Sequence, residues 1–458
     1  MRTRFKEDSV IFISVLKWLV LATVIGIIVG FSTSLFLRIL NLSTAYAGQF
    51  SWYFLLLPLA LLASTLIVKY LAPDAEGHGT EKVIEAVHKR SGKIKAIVVP
   101  VKLAATIITL ALGGSAGKEG PCAQIGGGLA SVFADILKFS DVDRKKLVIC
   151  GISGGFASVF GTPIAGAIFG IEVLFVGSIR YDVLLPSFVA GIISYQVSSW
   201  YGISYFYHPV NFVPVFSESF FVKVVIAGVF FGVISILIIE MLKAGKAVAA
   251  SIKIREEYKS VIGGLFLVLI ALVFSTSYLG LGLEVMESAL EGGNIPWYAF
   301  LMKTITTSTT LNFGGSGGIL TPIFFIGATF GSFMSSILKV DAGMLSAIGF
   351  VSVLAGAANT PIAASIMAVE IFGPQVAPYA SIACVISFII TGHRSVYPSQ
   401  VLSIKKSPSI HVEIGQELET IDPHYQMRDK SLLRAIRYLR DTAGKLTNNN
   451  NNKDKNST

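Results

Sequence analysis

The sequence predicts an all-α polytopic membrane protein made of two inverted-topology repeats of tilted and broken helices. Three observations carry that expectation. Of 458 residues, 53% are hydrophobic and only 14% charged, where a soluble globular protein carries roughly 25% charged residues; mean hydropathy is +0.69. Apolar runs recur along most of the chain, several shorter than the roughly 20 residues needed to span hydrocarbon. Two glycine-rich segments, GGSAGKEGPCAQIG from Gly113 and GGSGGILTPIFFIG from Gly314, repeat each other 201 residues apart.

In chain order, a short basic segment, residues 1–17, precedes the first apolar run, Trp18 to Leu37. That run is too long for a signal-peptide core and lacks a small-residue cleavage site after it. A second run covers Trp52 to Val68, and a polar amphipathic stretch follows, APDAEGHGTEKVIEAVHKR. Apolar segments then recur at Val99–Leu112, Pro121–Leu137, Leu147–Phe160, Pro163–Val176 and Val183–Trp200. Beyond the loop with His208 and Pro209 they resume at Val224–Ile239, Val261–Phe274, Trp297–Leu311, Ile319–Leu338, Met344–Ala358, Pro361–Phe372 and Ala377–Thr391. Short or interrupted segments in such a protein point to half-helices that meet near the membrane midplane.

The break at Gly113–Gly128 organises the rest. Lys118 and Glu119 stand there between runs whose only charges are Lys102 and Asp135. An ionisable residue at membrane depth is a functional-site hypothesis, and unwound backbone is tolerated there only inside protein or beside a water-filled cavity. The spacing predicts a helix ending near Gly113, a loop, and a new helix near Gly120 with Pro121 in its first turn. The free N–H groups of that helix would face an anion. GGSAGKE is not a phosphate-binding loop, since Leu112 stands where the first glycine is needed and Glu119 where a Ser or Thr is needed.

The repeat extends to a second pair of motifs in the same order, TPIAGAIFGIEVLF from Thr162 and TPIAASIMAVEIFG from Thr360, which sets Glu172 on Glu370. Each half is one copy, about 18–205 and about 215–403. Where the first copy has Lys118 and Glu119, the second has Ile319 and Leu320. One half therefore offers only backbone N–H groups and the other adds a movable carboxylate. Glu172 and Glu370, both late in apolar helices, read as acceptors of backbone hydrogen bonds.

The net charge of +9 gathers at the ends and in loops: Arg2, Arg4, Lys6, Arg144, Lys145, Lys146, Lys405 and Lys406. By the positive-inside bias these segments, both termini included, are expected on the cytoplasmic side of a cell membrane. No basic stripe with interleaved aromatics appears, so a nucleic-acid partner is not expected. Cys122, Cys150 and Cys384 match no metal or disulfide spacing, and the histidines show no ligand spacing; no cofactor is expected. In the polar tail, residues 404–458, SLLRAIRYLR reads as a basic amphipathic helix and Asn448 to Asn452 as disorder.

GKEGP at Gly117–Pro121, GGILTP at Gly317–Pro322, the paired TPIA helices and the late tyrosine in HRSVYPSQ resemble the CLC family of chloride channels and proton-coupled chloride exchangers. The resemblance covers roughly Trp18 to Ser403. It implies a homodimer in the lipid bilayer with one pathway per subunit for chloride or a similar small anion, accompanied by protons in the exchangers. It implies Glu119 as the gating glutamate. The implied anion site comprises His78, Gly79, Lys118, Glu119, Gly120, Ile319, Leu320 and Tyr397. No C-terminal nucleotide-binding pair is expected in so short a tail.

Four departures from the family pattern matter. Lys118 replaces an arginine and loses the planar fork. Leu320 replaces an aromatic. GHGTE puts His78, or Thr80 in a shifted alignment, where the family has a serine. Val173 follows Glu172 where exchangers commonly carry a second, inner glutamate. The absence of that glutamate points to Glu119-gated conduction; chloride/proton exchange, or selectivity for fluoride or nitrate, is the alternative. His78 is the one further titratable group expected near the pathway. An intramembrane hydrolase built on Ser115 and His78 would lack an orienting carboxylate and leave the repeat unexplained.

Overall fold

A computed structural model describes residues 2–209, 218–421 and 424–425, with side chains described from residue 7. The stretches 431–440 and 448–452 of the polar tail lie outside the described residues.

The helices fall into two matching sets. The first half holds α1 (Arg2–Gly48), α2 (Leu57–Leu71), α3 (Thr80–Lys89), α4 (Val98–Ala111), α5 (Glu119–Ile136), α6 (Asp141–Phe160), α7 (Pro163–Glu172) and α8 (Leu184–Trp200). The second holds α9 (Glu218–Ser251), α10 (Glu256–Val273), α11 (Leu283–Leu290), α12 (Ala299–Asn312), α13 (Leu320–Leu338), α14 (Ala342–Ala358), α15 (Pro361–Phe372) and α16 (Ala377–Thr391). The glycine loops of the two halves meet antiparallel. Gly117 N donates to Gly318 O at 2.8 Å, and Gly318 N donates to Gly117 O at 2.6 Å. An approximate two-fold axis passes between these peptides, as inverted copies require.

Two elements differ from the sequence expectation. The first helix is not confined to Trp18–Leu37 but runs from Arg2 to Gly48, because no proline interrupts residues 1–48 and its two interior glycines, Gly26 and Gly30, only weaken a helix locally. The short α11 was not anticipated. It buries Met286, Ala289 and Leu290 on one face, but its eight residues are too few and too acidic to stand out as an apolar run.

Among the described residues, five helical segments are long and apolar enough to cross a bilayer, including Glu7–Gly48, Glu218–Ser251 and Leu320–Leu338. The last is mostly enclosed by protein, as a broken helix lining a pathway must be. The outward face of α10 instead displays Leu265, Leu269, Leu272 and Val273, each more than half exposed, which suits contact with lipid tails. Inside, small residues let helices approach closely. A Cβ on Gly126 would lie 2.3 Å from Gly151 O where α5 crosses α6, and one on Gly327 would lie 2.3 Å from Gly349 O where α13 crosses α14.

A reciprocal clamp locks the halves. Glu370 accepts from Ile164 N (2.9 Å) and Ala165 N (2.8 Å) at the start of α7. Glu172 accepts from Ile362 N (3.1 Å) and Ala363 N (2.8 Å) at the start of α15. Each carboxylate caps the positive end of the other copy's helix, the structural role expected from the sequence. Just after α7, the strand β1 (Phe175–Val176) pairs in parallel with β2 (Val401–Leu402), tying the first half to the segment that carries Tyr397. Beyond it, β3 (Ile410–His411) pairs antiparallel with β4 (His424–Tyr425).

Candidate functional site

The loops that precede α5 and α13 are shaped by the helices before them. Thr310 Oγ1 on α12 accepts from Ser115 N at 3.0 Å, and Thr109 Oγ1 on α4 accepts from Ser316 N at 3.0 Å. The serine hydroxyls complete the lattice, Ser115 with Thr307 at 2.9 Å and Ser316 with Thr106 at 3.1 Å. These side chains satisfy backbone groups that leave the helical ladder, which buried backbone demands. The threonines recur at the repeat spacing (106 with 307, 109 with 310), a signal in the sequence that had not been drawn on. Ser115 is therefore committed to threonine partners, and no nucleophile–base pair with His78 forms.

Glu119 opens α5 and is 1% exposed. Its Oε1 accepts from Leu320 N at 2.5 Å and its Oε2 from Thr321 Oγ1 at 2.7 Å. The carboxylate thus fills the place an anion would take at the positive end of α13. Gly117 and Gly318 make the room: a Cβ on either would fall within 2.3 Å of a Glu119 oxygen. Ile319 is the residue just before α13 and is buried with Leu320; the N–H seen bound to the carboxylate is that of Leu320. Thr321 was missing from the sequence expectation, because its repeat mate is Gly120, which has no side chain to suggest a donor there.

On the other side of Glu119 lies α3. His78 and Gly79 lead into it, with Gly79 at φ 53° so that the chain passes against Gly120 O, where a Cβ would stand 2.3 Å away. The turn before it is held by Lys102 of α4, which is fully buried and donates to Ala75 O at 3.2 Å and Gly77 O at 2.5 Å. Its repeat mate Lys303 does the same for Gly280 O at 2.7 Å. In none of α3, α5 and α13 does the side chain of the residue before the helix cap its N-terminus; at α13 the Glu119 carboxylate takes that place.

Tyr397 is fully buried. Tyr397 N donates to Ser395 Oγ (2.9 Å), and Gln400 fastens the same segment by donating to Val173 O and Ala358 O, both at 2.8 Å. Tyr397 interacts with Thr80 and, electrostatically, with Glu119 and Glu81, and its ring lies 5.9 Å from that of His78. Three buried polar atoms here have no hydrogen-bond partner: Tyr397 Oη, His78 Nδ1 and Thr80 Oγ1. Buried polar groups are rarely left unpaired. They cluster at Tyr397, where their unpaired atoms could bind a further polar or anionic group. His78 and Thr80 both stand beside Tyr397.

The Lys118 side chain makes no hydrogen bond or ion pair with any described residue; Lys118 stands just before α5, and its carbonyl accepts from Cys122 N at 3.2 Å. One expectation needs correction. His78 is not the one further titratable group near the pathway, because the first turn of α3 also directs Glu81 inward, where Ser399 N (2.9 Å) and Ser399 Oγ (2.6 Å) donate to it.

Inverted halves whose helix N-termini converge on a carboxylate and a set of unpaired donors define a membrane protein built for anion transport. The chain belongs to the CLC family: the family model described as voltage gated chloride channel matches residues 59–392. It is 34% identical to a chloride/fluoride channel protein of Pseudomonas syringae pv. tomato, over 89% of this chain and 90% of that one. Its structure is similar to that of a CLC-type fluoride/proton antiporter, with a TM-score of 0.81 at 27% identity, covering 85% of this chain and 98% of the other. The fold also matches a slow cyanobacterial Cl⁻/H⁺ antiporter, with a TM-score of 0.71 at 19% identity, over 82% and 94% of the chains. The protein is thus a membrane-integral CLC transport protein and not an enzyme.

Proposed function

We propose that the protein moves chloride or fluoride across the cell membrane, and that Glu119 and the anion compete for one site at the start of α13. The observation that carries this reading is the Glu119 carboxylate held by Leu320 N and Thr321 Oγ1. An anion reaches those donors only after the carboxylate leaves, and protonation removes the charge that holds it there. The unpaired groups of His78, Thr80 and Tyr397 then receive the anion, assisted by the N–H groups of α3 and α5 around Gly79 and Gly120, with Lys118 adding positive potential. The working unit is a homodimer with one pathway per subunit and both termini cytoplasmic.

With Val173 in place of a second glutamate, simple conduction with Glu119 as gate is the first reading. Coupled exchange is favoured by a specific observation: Glu119 is enclosed and doubly bound, so each departure carries a proton with it. The relatives described as a channel and as antiporters bracket the same two behaviours. Simultaneous measurement of anion and proton flux from purified protein in liposomes separates them. Uphill proton movement driven by a halide gradient establishes exchange; halide flux without it establishes a channel. Absence of any halide flux would refute both.

A further inference from the structure

Glu81 has a place in the site that neither the gate nor the anion-binding groups use. Its Oε1 is taken by both donors of Ser399. Its Oε2 is buried and has no partner. A carboxylate oxygen left dry and unpaired is costly when charged, and a proton on it removes that cost. The residue also stands between two environments. On one side Tyr397 interacts electrostatically with both Glu81 and Glu119. On the other the charged groups that act on Glu81 are Lys82 on its own helix and Glu419 in the segment after β2, and the Glu419 side chain is more than half exposed.

We propose that Glu81 is the second proton station of this transporter, doing from α3 what Val173 cannot do from the end of α7. This rests on the coupled-exchange reading. Glu81 Oε2 takes a proton from solvent beside Lys82 and Glu419. The proton passes by way of Tyr397 and Thr80 to the Glu119 carboxylate. Glu81 ends as carboxylate and Glu119 as neutral acid, so charge and protons balance. The neutral Glu119 then releases Leu320 N and Thr321 Oγ1 to the anion. Ser399 fixes the Glu81 carboxyl without consuming its second oxygen, which leaves that oxygen free to load and unload.

The test uses full-length protein in liposomes with a chloride or fluoride gradient, reading halide and proton flux together. Glu81→Gln is the informative variant, because a glutamine oxygen still accepts from both Ser399 donors and preserves the structural tie, while the amide takes up no proton. Proton flux is expected to fall by about 10²-fold, the scale of a lost positioned proton carrier. In a Glu119→Ala background, where no gate needs a proton, Glu81→Gln is expected to leave halide flux unchanged. Wild type that couples and Glu81→Gln that couples equally well would overturn the role of Glu81 while leaving exchange intact. Halide flux lost in the Glu119→Ala background would place Glu81 in folding or in the anion path and also overturn it. Wild type without uphill proton movement would overturn exchange itself, and the relay with it.

Discussion

Leu320 N donates to Glu119 Oε1 at 2.5 Å, and the two residues stand 201 positions apart, the spacing of the repeat itself. Equivalent positions of the two inverted copies are thus in direct contact across the pseudo-two-fold axis. One copy contributes a carboxylate and the other the bare helix end that binds it. An inverted repeat brings equivalent residues together at its axis, so a single difference between copies turns a symmetric pair into a carboxylate and the helix end that holds it.

Glu119→Gln is expected to raise halide flux and abolish its dependence on pH, since the amide is neutral at every pH. Hydrogen bonds to a charged group contribute about 1.5–3 kcal/mol each, so losing the charge weakens the hold on the helix end by about tenfold or more. Liposome halide efflux across a series of pH values measures this. A variant with wild-type flux and wild-type pH response would remove Glu119 from the gate.

Tyr397→Ala combined with His78→Ala is expected to weaken halide binding by about 10- to 100-fold, as removal of charge-bound donors predicts. Isothermal calorimetry on detergent-solubilised protein gives the affinity directly. Unchanged affinity would mean that the backbone N–H groups of α3, α5 and α13 bind the anion without help.

Lys102→Met is expected to destabilise the turn before α3, because the carbonyls of Ala75 and Gly77 lose a buried donor. Each stranded acceptor costs about 1–3 kcal/mol. Halide affinity should fall along with the melting temperature, since the same turn positions His78. A lower melting temperature with affinity unchanged would show that Lys102 supports the fold but not the site.

Glu172→Ala and Glu370→Ala are each expected to lower the melting temperature, because two N–H groups at the start of a helix are left unpaired in either case. The cost is about 2 kcal/mol or more per variant, and the conservative Gln variants should recover part of it. A thermal melt followed by tryptophan fluorescence decides the point. A loss of transport with no loss of stability would instead assign these carboxylates to the pathway.

The order of helices apart from α11, the two copies, the breaks at Gly113 and Gly314 and the buried carboxylate of Glu119 were legible in the sequence because they are local or periodic. Glycine permits an unwound loop wherever it stands, apolar runs declare themselves, and a repeat needs only comparison of the chain with itself. What tertiary structure alone decided lies between elements distant in sequence. Thr321 meets Glu119 across 202 positions, and Glu81 meets Ser399 across 318. Nothing in the spacing of those residues indicates that their side chains converge, because hydrogen bonds of this kind depend on how whole helices pack.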